Sequence, residues 1–103
     1  MKNLVSVIIP TFNRLNKLIK AIDSVKKQTY KNYEIIVVDN SSVDGTVEYL
    51  NKLNDDKIVK INIHNNGNIA KSRNLGINNS KGDILAFLDS DDLWFPNKLS
   101  SCI

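Results

Sequence analysis

Apolar residues fall in four short runs along this chain, and between the runs they recur at helical spacing. Val5 to Ile9 is broken only by Ser6, while Ile35 to Val38 and Ile84 to Leu88 are unbroken. Continuous apolar runs of this length predict strands buried on both faces, as in a parallel sheet. Ile58 to Ile63 differs. There Ile58, Lys60 and Asn62 alternate with Val59, Ile61 and Ile63, which predicts an edge strand with one wetter face.

Leu15, Leu18, Ile19, Ile22 and Val25 mark one side of a helix between the first two strands, and Val47, Leu50 and Leu53 do so after the second. Ser42 or Asp44 is placed to cap that second helix. Ile69 to Ile77 is a weaker helix containing Gly76; glycine lowers helix propensity but lets a helix approach a sheet closely. Asn78 to Asp83 reads as a turn, and Pro96 suits the first turn of a last helix. Strands alternating with helices imply right-handed crossovers. The expected fold is α/β: an open, mainly parallel, Rossmann-like sheet of about four strands with helices on both faces.

In such a sheet ligands bind beyond the carboxyl ends of the strands. Those ends are polar here. They read Pro10-Thr11-Phe12-Asn13-Arg14, Asp39-Asn40-Ser41-Ser42, Asn65-Asn66-Gly67-Asn68 and Asp89-Ser90-Asp91-Asp92. Loops are rich in Asn, Asp and Ser, so each cluster alone has a bland reading, and Asp39 alone reads equally well as a cap or turn residue. Four on one rim point to a ligand. The last is the most informative, because crowded carboxylates repel unless a cation sits among them. A divalent cation with few protein ligands shares its shell with phosphate oxygens, and all-oxygen ligands favour Mg²⁺ or Mn²⁺. Asp91, assisted by Asp89 or Asp92, is the candidate metal ligand. No glycine-rich dinucleotide fingerprint and no P-loop is present.

Composition changes this picture little. The 103 residues make one domain with one core, and the net charge of +3 comes from scattered lysines, which suits a solvated face and not a nucleic-acid footprint. One cysteine, Cys102, gives no disulfide framework, and His64 alone cannot make a zinc site. The apolar run stopped by Pro10 is too short for a signal peptide or a membrane span.

The ordered series of motifs resembles family 2 glycosyltransferases of the GT-A fold. It begins with Val5 to Arg14 and continues through Gln28-Thr29-Tyr30 and Tyr33 to Asp39. Ser41-Ser42, Asp44-Gly45-Thr46, Gly67 with Ala70 to Asn74, and Gly82-Asp83 leading into Asp89 to Asp92 complete it. The resemblance covers essentially the whole chain. It implies transfer of a sugar from a nucleoside diphosphate sugar, a UDP-sugar, with Mn²⁺ or Mg²⁺ and inversion at the anomeric carbon. It implies that Pro10, Thr11 and Asn13 line the nucleoside pocket and that Asp39 hydrogen-bonds the base. Arg73 would lie near base and diphosphate, Asp89 near ribose or sugar, and Asp91 on the metal. Asp92 is assigned either to the site or to capping the next helix. Asp44-Gly45-Thr46 is expected to start a helix, Asp83 to be a turn residue, and Trp94 and Phe95 to be core.

The resemblance also implies that the general base lies beyond the acidic motif. Residues 1–103 are therefore expected to be the donor-binding half, inactive alone, with no catalytic residue assigned. The acceptor, a glycan, lipid or protein, is not specified. The uncovered apolar surface of such a half implies a homodimer. A cytoplasmic location, peripheral to the inner membrane face in a longer protein, is expected. The alternative is a non-catalytic module that binds a nucleotide sugar or a metal. A phosphatase-like or receiver-like domain is disfavoured because strand one ends in Pro10-Thr11 where an acidic residue is needed.

Overall fold

The chain order is β1 (Val5–Thr11), α1 (Leu15–Lys26), β2 (Tyr33–Asn40), α2 (Thr46–Lys52), β3 (Ile58–Ile63), α3 (Ile69–Asn78) and β4 (Ile84–Phe87). The structure is a computed structural model, and it describes residues 3–40, 42–53, 55–63, 69–89, 94, 96, 98 and 99. His64 to Asn68, Ser41, Asp91, Asp92, Phe95 and Cys102 lie outside the described residues.

All strand pairs are parallel and the sheet order is β3-β2-β1-β4. The chain builds outward from β1 to β3 and then crosses back to lay β4 on the other side of β1. The polarity of winding reverses there, and the crevice at the carboxyl ends of β1 and β4 is where such sheets accept ligands. The mainly parallel α/β architecture matches the sequence expectation, and β3 is an edge strand as its alternation predicts.

β1 and β2 bury every residue, because each strand has a neighbour on both sides and helices above and below. Their odd-numbered residues (Val5, Val7, Ile9, Ile35, Val37) pack with Leu18, Ile22 and Val25 of α1 and Leu50 of α2. Ile8, Ile36 and Val38 face the other way, against Leu75 and Ile77 of α3. Gly76 sits at that second interface. A Cβ there would lie 2.6 Å from Cγ2 of Ile8, so only glycine lets α3 come this close.

Pro10 lies in a central strand, where its missing N–H should cost a ladder bond. The position explains the tolerance. The Ile8 carbonyl accepts the Leu88 N–H at 3.0 Å, so the even-numbered backbone of β1 faces β4, and β4 has ended by the level of Pro10.

One expectation needs correction, and one pair of alternatives resolves to Asp44. β4 is not buried on both faces: it is the second edge of the sheet, with Leu85 and Phe87 exposed. Continuous apolar sequence hid the alternation, because both faces of this strand carry apolar residues. Ser42 does not cap α2. That helix begins after Gly45, and the Asp44 carboxylate accepts the Thr46 N–H at 3.3 Å and hydroxyl at 2.6 Å.

At the amino ends of the strands the buried polar groups are paired. The Ser6 hydroxyl donates to Glu34 at 2.6 Å and accepts the Gly82 N–H at 2.8 Å, and Glu34 also accepts the Lys81 N–H at 2.7 Å. Asp83 exchanges backbone and side-chain bonds with Leu4, which makes it the turn residue expected at the start of β4.

Candidate nucleotide-sugar site

The carboxyl rim differs from the amino end in one respect. Among the described residues, three buried side-chain polar atoms have no hydrogen-bond partner: Thr11 Oγ1, Asp39 Oδ2 and Arg73 Nε. All three belong to residues singled out from the sequence. Buried polar atoms are costly to leave unpaired, and native folds rarely do so without a ligand, water or functional reason.

Thr11 and Asp39 are register partners at the ends of β1 and β2, so their side chains stand together on the α1 face. Asp39 is buried, and burial raises its carboxyl above the ordinary range; hydrogen bonds from Ser42 oppose this, and the charge of Asp44 adds to it. The Ser42 hydroxyl donates to Asp39 Oδ1 and accepts the Asn13 N–H at 2.8 Å. Asn13 in turn accepts the Val43 N–H at 2.8 Å through its side-chain carbonyl. Its φ of 50° is left-handed, a conformation asparagine tolerates better than most residues. The result is a stapled pair of loops that fixes the Asp39 rotamer and leaves Oδ2 unpaired.

Asp44 completes the staple. Besides holding the first turn of α2, it accepts the Leu15 N–H at 2.9 Å, so one carboxylate caps two helices. These bonds, chiefly that from Thr46, lower its carboxyl below the ordinary range. Gly45 carries the chain between them at φ 95°, where a side chain would be strained.

The second part of the rim lies at β4. Arg73, on α3, donates through Nη2 to Asp89 Oδ1 at 3.0 Å, and its guanidinium stands 5.9 Å from the centroid of the Phe87 ring. Both side chains are partly exposed, so the pair adds little to stability. It does place a cation and a carboxylate beside the crevice.

The rim therefore brings together Thr11, Asp39 and Asn13 on one side and Arg73 with Asp89 on the other. Pro10 is placed differently: it is buried in β1, and by strand parity its ring faces α3, away from Thr11 and Asp39. Asn13 presents its side chain to the neighbouring loop. The predicted metal ligand, Asp91, lies outside the described residues, and among the described residues no three His, Cys, Asp or Glu side chains gather. The donor chemistry at this end of β4, carboxylate oxygen, fits a hard divalent cation.

Sequence reasoning gave Ser42 only a capping role and Gln28 only a place in the motif series, and it missed the bonds that both make. Ser42 follows Asp39 by three residues, a spacing at which a hydroxyl reaches back to a carboxylate. Gln28 extends the apolar phase of Leu18, Ile22 and Val25, so a polar residue there signals a buried amide with partners. Its side chain is fully buried and bonds Ser24 and Leu99.

A parallel sheet with its winding reversal beside β1, and unpaired polar groups gathered at the carboxyl rim, define an open α/β fold with a candidate ligand crevice at that rim. The family model described as glycosyl transferase family 2 matches residues 6–103, and the chain belongs to that family. A UDP-Glc:alpha-D-GlcNAc-diphosphoundecaprenol beta-1,3-glucosyltransferase, WfaP of Escherichia coli, is 41% identical over 97% of this chain and 40% of its own length. Staphylococcus aureus TarS 1-349 in complex with UDP-GlcNAc superposes with a TM-score of 0.86 at 30% identity, over 99% of this chain and 30% of TarS 1-349. A mannosyltransferase from Pyrobaculum calidifontis in complex with GDP-Man and Mn²⁺ superposes with a TM-score of 0.79 at 28% identity, over 91% of this chain and 29% of its own. The chain spans 14% to 40% of the length of eight curated relatives that it matches. Among the described residues no helix is long and apolar enough to cross a membrane.

Proposed function

We propose that this chain is the donor-binding part of a metal-assisted, inverting glycosyltransferase that uses a nucleoside diphosphate sugar, a UDP-sugar. The observation that carries the reading is the set of unpaired buried atoms on Thr11, Asp39 and Arg73 at the carboxyl rim. Family membership and the UDP-GlcNAc bound by TarS support it.

Asp39 Oδ2 is an acceptor held in a low-dielectric site, suited to the imide N–H of uracil. Thr11 and Asn13 form the wall of the nucleoside pocket, Asn13 through the loop it staples, and Pro10, whose ring faces α3, contributes through its place in the β1 backbone. Arg73 offers its unpaired Nε–H to base or diphosphate oxygens, and Asp89 is positioned for ribose or sugar hydroxyls. Asp91 would hold a divalent cation, Mn²⁺ or Mg²⁺, which would supply Lewis-acid stabilisation of the leaving diphosphate. What the chain itself contributes is positioning and charge, which hold the anomeric carbon open to attack. The acceptor is a glycan, lipid or protein, and no residue of 1–103 is assigned as the base that deprotonates it.

Calorimetry of this chain with UDP, with and without Mn²⁺, tests the reading. We expect binding that Mn²⁺ strengthens, loss of that strengthening in Asp91→Ala, and no sugar transfer to a mixed panel of acceptors. Absence of UDP binding under both conditions sinks the donor-site reading. Robust transfer by the chain alone sinks the division into halves.

A further inference from the structure

Asp39 ends β2 beside Thr11 of β1, and its two carboxylate oxygens have different surroundings. Oδ1 accepts the Ser42 hydroxyl, whereas Oδ2 has no partner. Ser42 is itself held in place. Its one hydroxyl proton goes to Asp39, while its oxygen accepts the Asn13 N–H at 2.8 Å, and the Asn13 side chain accepts the Val43 N–H at 2.8 Å. Asp39 and Ser42 are only 1% and 9% exposed, so their bond is not readily exchanged for one to water. Thr11 Oγ1 is likewise buried and unpaired, so it is not bonded to Asp39. The carboxylate therefore offers one acceptor, and a hydroxyl on the neighbouring strand is free to donate beside it.

The number of free acceptors decides which base edge the site completes. Uracil presents one donor, its N3–H, between two carbonyl acceptors. Guanine presents two adjacent donors, N1–H and N2–H, which match both oxygens of a carboxylate as a fork. With Oδ1 engaged, guanine would either bury its second donor unpaired or displace Ser42 and break the Asn13 staple. Uracil requires neither: its N3–H meets Oδ2, and a flanking carbonyl accepts from the Thr11 hydroxyl. We propose that Ser42 is a specificity-determining residue of the base pocket: by occupying Oδ1 it makes Asp39 a single acceptor and selects uracil over guanine. The inference rests on the reading of Asp39 as the carboxylate that binds the base. A polar group left buried and unpaired in the wrong complex discriminates strongly.

The test is calorimetry of the chain with UDP and with GDP, both with Mn²⁺. The diphosphate is common to the two, so the ratio of affinities reports the base. The parent chain should prefer UDP by at least about 10-fold, the effect of one buried hydrogen bond. Ser42→Ala frees Oδ1 and should narrow that preference by about 10-fold. Ser42→Cys, close in shape but a weak donor, should narrow it less. A parent chain that binds GDP as tightly as UDP overturns the proposal and leaves the donor site standing. An unchanged ratio in folded Ser42→Ala also overturns it, as does an equal loss of both nucleotides, which marks a merely structural role. Should Ser42→Ala fail to fold, Ser42→Cys decides: an unchanged ratio overturns the proposal. A parent chain that binds neither nucleotide sinks the donor-site reading and this inference together.

Discussion

Asp39 sits where stability and binding pull in opposite directions. Its carboxylate is buried, one oxygen is held by Ser42 and the other has no partner. Burial raises its pKa above the unfolded value, so between those two values the folded state holds the extra proton. Acidification through that window therefore relieves the cost of the buried charge, while it removes the acceptor that a uracil N–H needs. UDP affinity should fall with a midpoint above the ordinary aspartate value of about 3.9. Asp39→Asn removes the charge at constant shape. We expect thermal or urea unfolding to show a gain of about 1 kcal/mol, since the unpaired charged oxygen is gone. The same variant should lose about 10- to 100-fold in UDP affinity, the worth of one charge-assisted hydrogen bond. A variant that loses stability and keeps affinity contradicts this account. Asp39 was legible as a candidate because it ends an apolar run. Its conflict between burial and pairing was not, since that depends on burial in the fold and on the Asn13 loop holding Ser42 against one carboxylate oxygen only.

At the scale of elements, the helices and strands followed from periodicity, and the close contacts between them did not. The spacing of Leu18, Ile22 and Val25 predicts a helix with one apolar side, and α1 buries that side. Gly76 was readable as a permissive position in a weak helix, but only the packing shows what it permits. Two opposing effects meet there. Alanine gains about 1 kcal/mol in helix propensity over glycine. Its Cβ would also lie 2.6 Å from a methyl of Ile8 in a central strand that cannot move aside cheaply. Overpacking of this kind costs about 1–3 kcal/mol, so Gly76→Ala should be net destabilising in urea titration. The diagnosis is specific to one contact: in Ile8→Ala the clash is absent, so Gly76→Ala should then be neutral or favourable. Equal effects of Gly76→Ala in both backgrounds would place the cost elsewhere. The double cap by Asp44 lay beyond sequence reading for a similar reason. Asp44 is local to α2, but its second partner, Leu15, comes from the preceding crossover.

For the whole molecule, the consequential misreading was the position of β4. Five consecutive apolar residues, Ile84 to Leu88, read as a fully buried strand, and burial of Leu88 agrees with that. Yet β4 is an edge, with Leu85 and Phe87 40% and 45% exposed and an apolar groove running past Ile84, Trp94 and Leu99. Sequence cannot distinguish a strand covered within its own chain from one whose cover comes from elsewhere, because both demand apolar residues on both faces. Unpaired edges with exposed apolar side chains recruit partners. The two ends of this sheet differ accordingly: β3 exposes Lys60 and Asn62, which discourage pairing, whereas β4 exposes Leu85 and Phe87. Self-association of this chain should therefore run through β4. Sedimentation velocity across a concentration series should show a monomer–dimer equilibrium. Leu85→Lys, which puts a solvated charge on that edge, should shift it to monomer without changing UDP affinity, because the donor rim lies at the carboxyl end of the strands. A chain that is monomeric throughout, or a dimer that Leu85→Lys leaves intact, would remove β4 as the interface. If the same substitution abolished UDP binding, the edge and the rim would be coupled, and donor binding would not be separate from association.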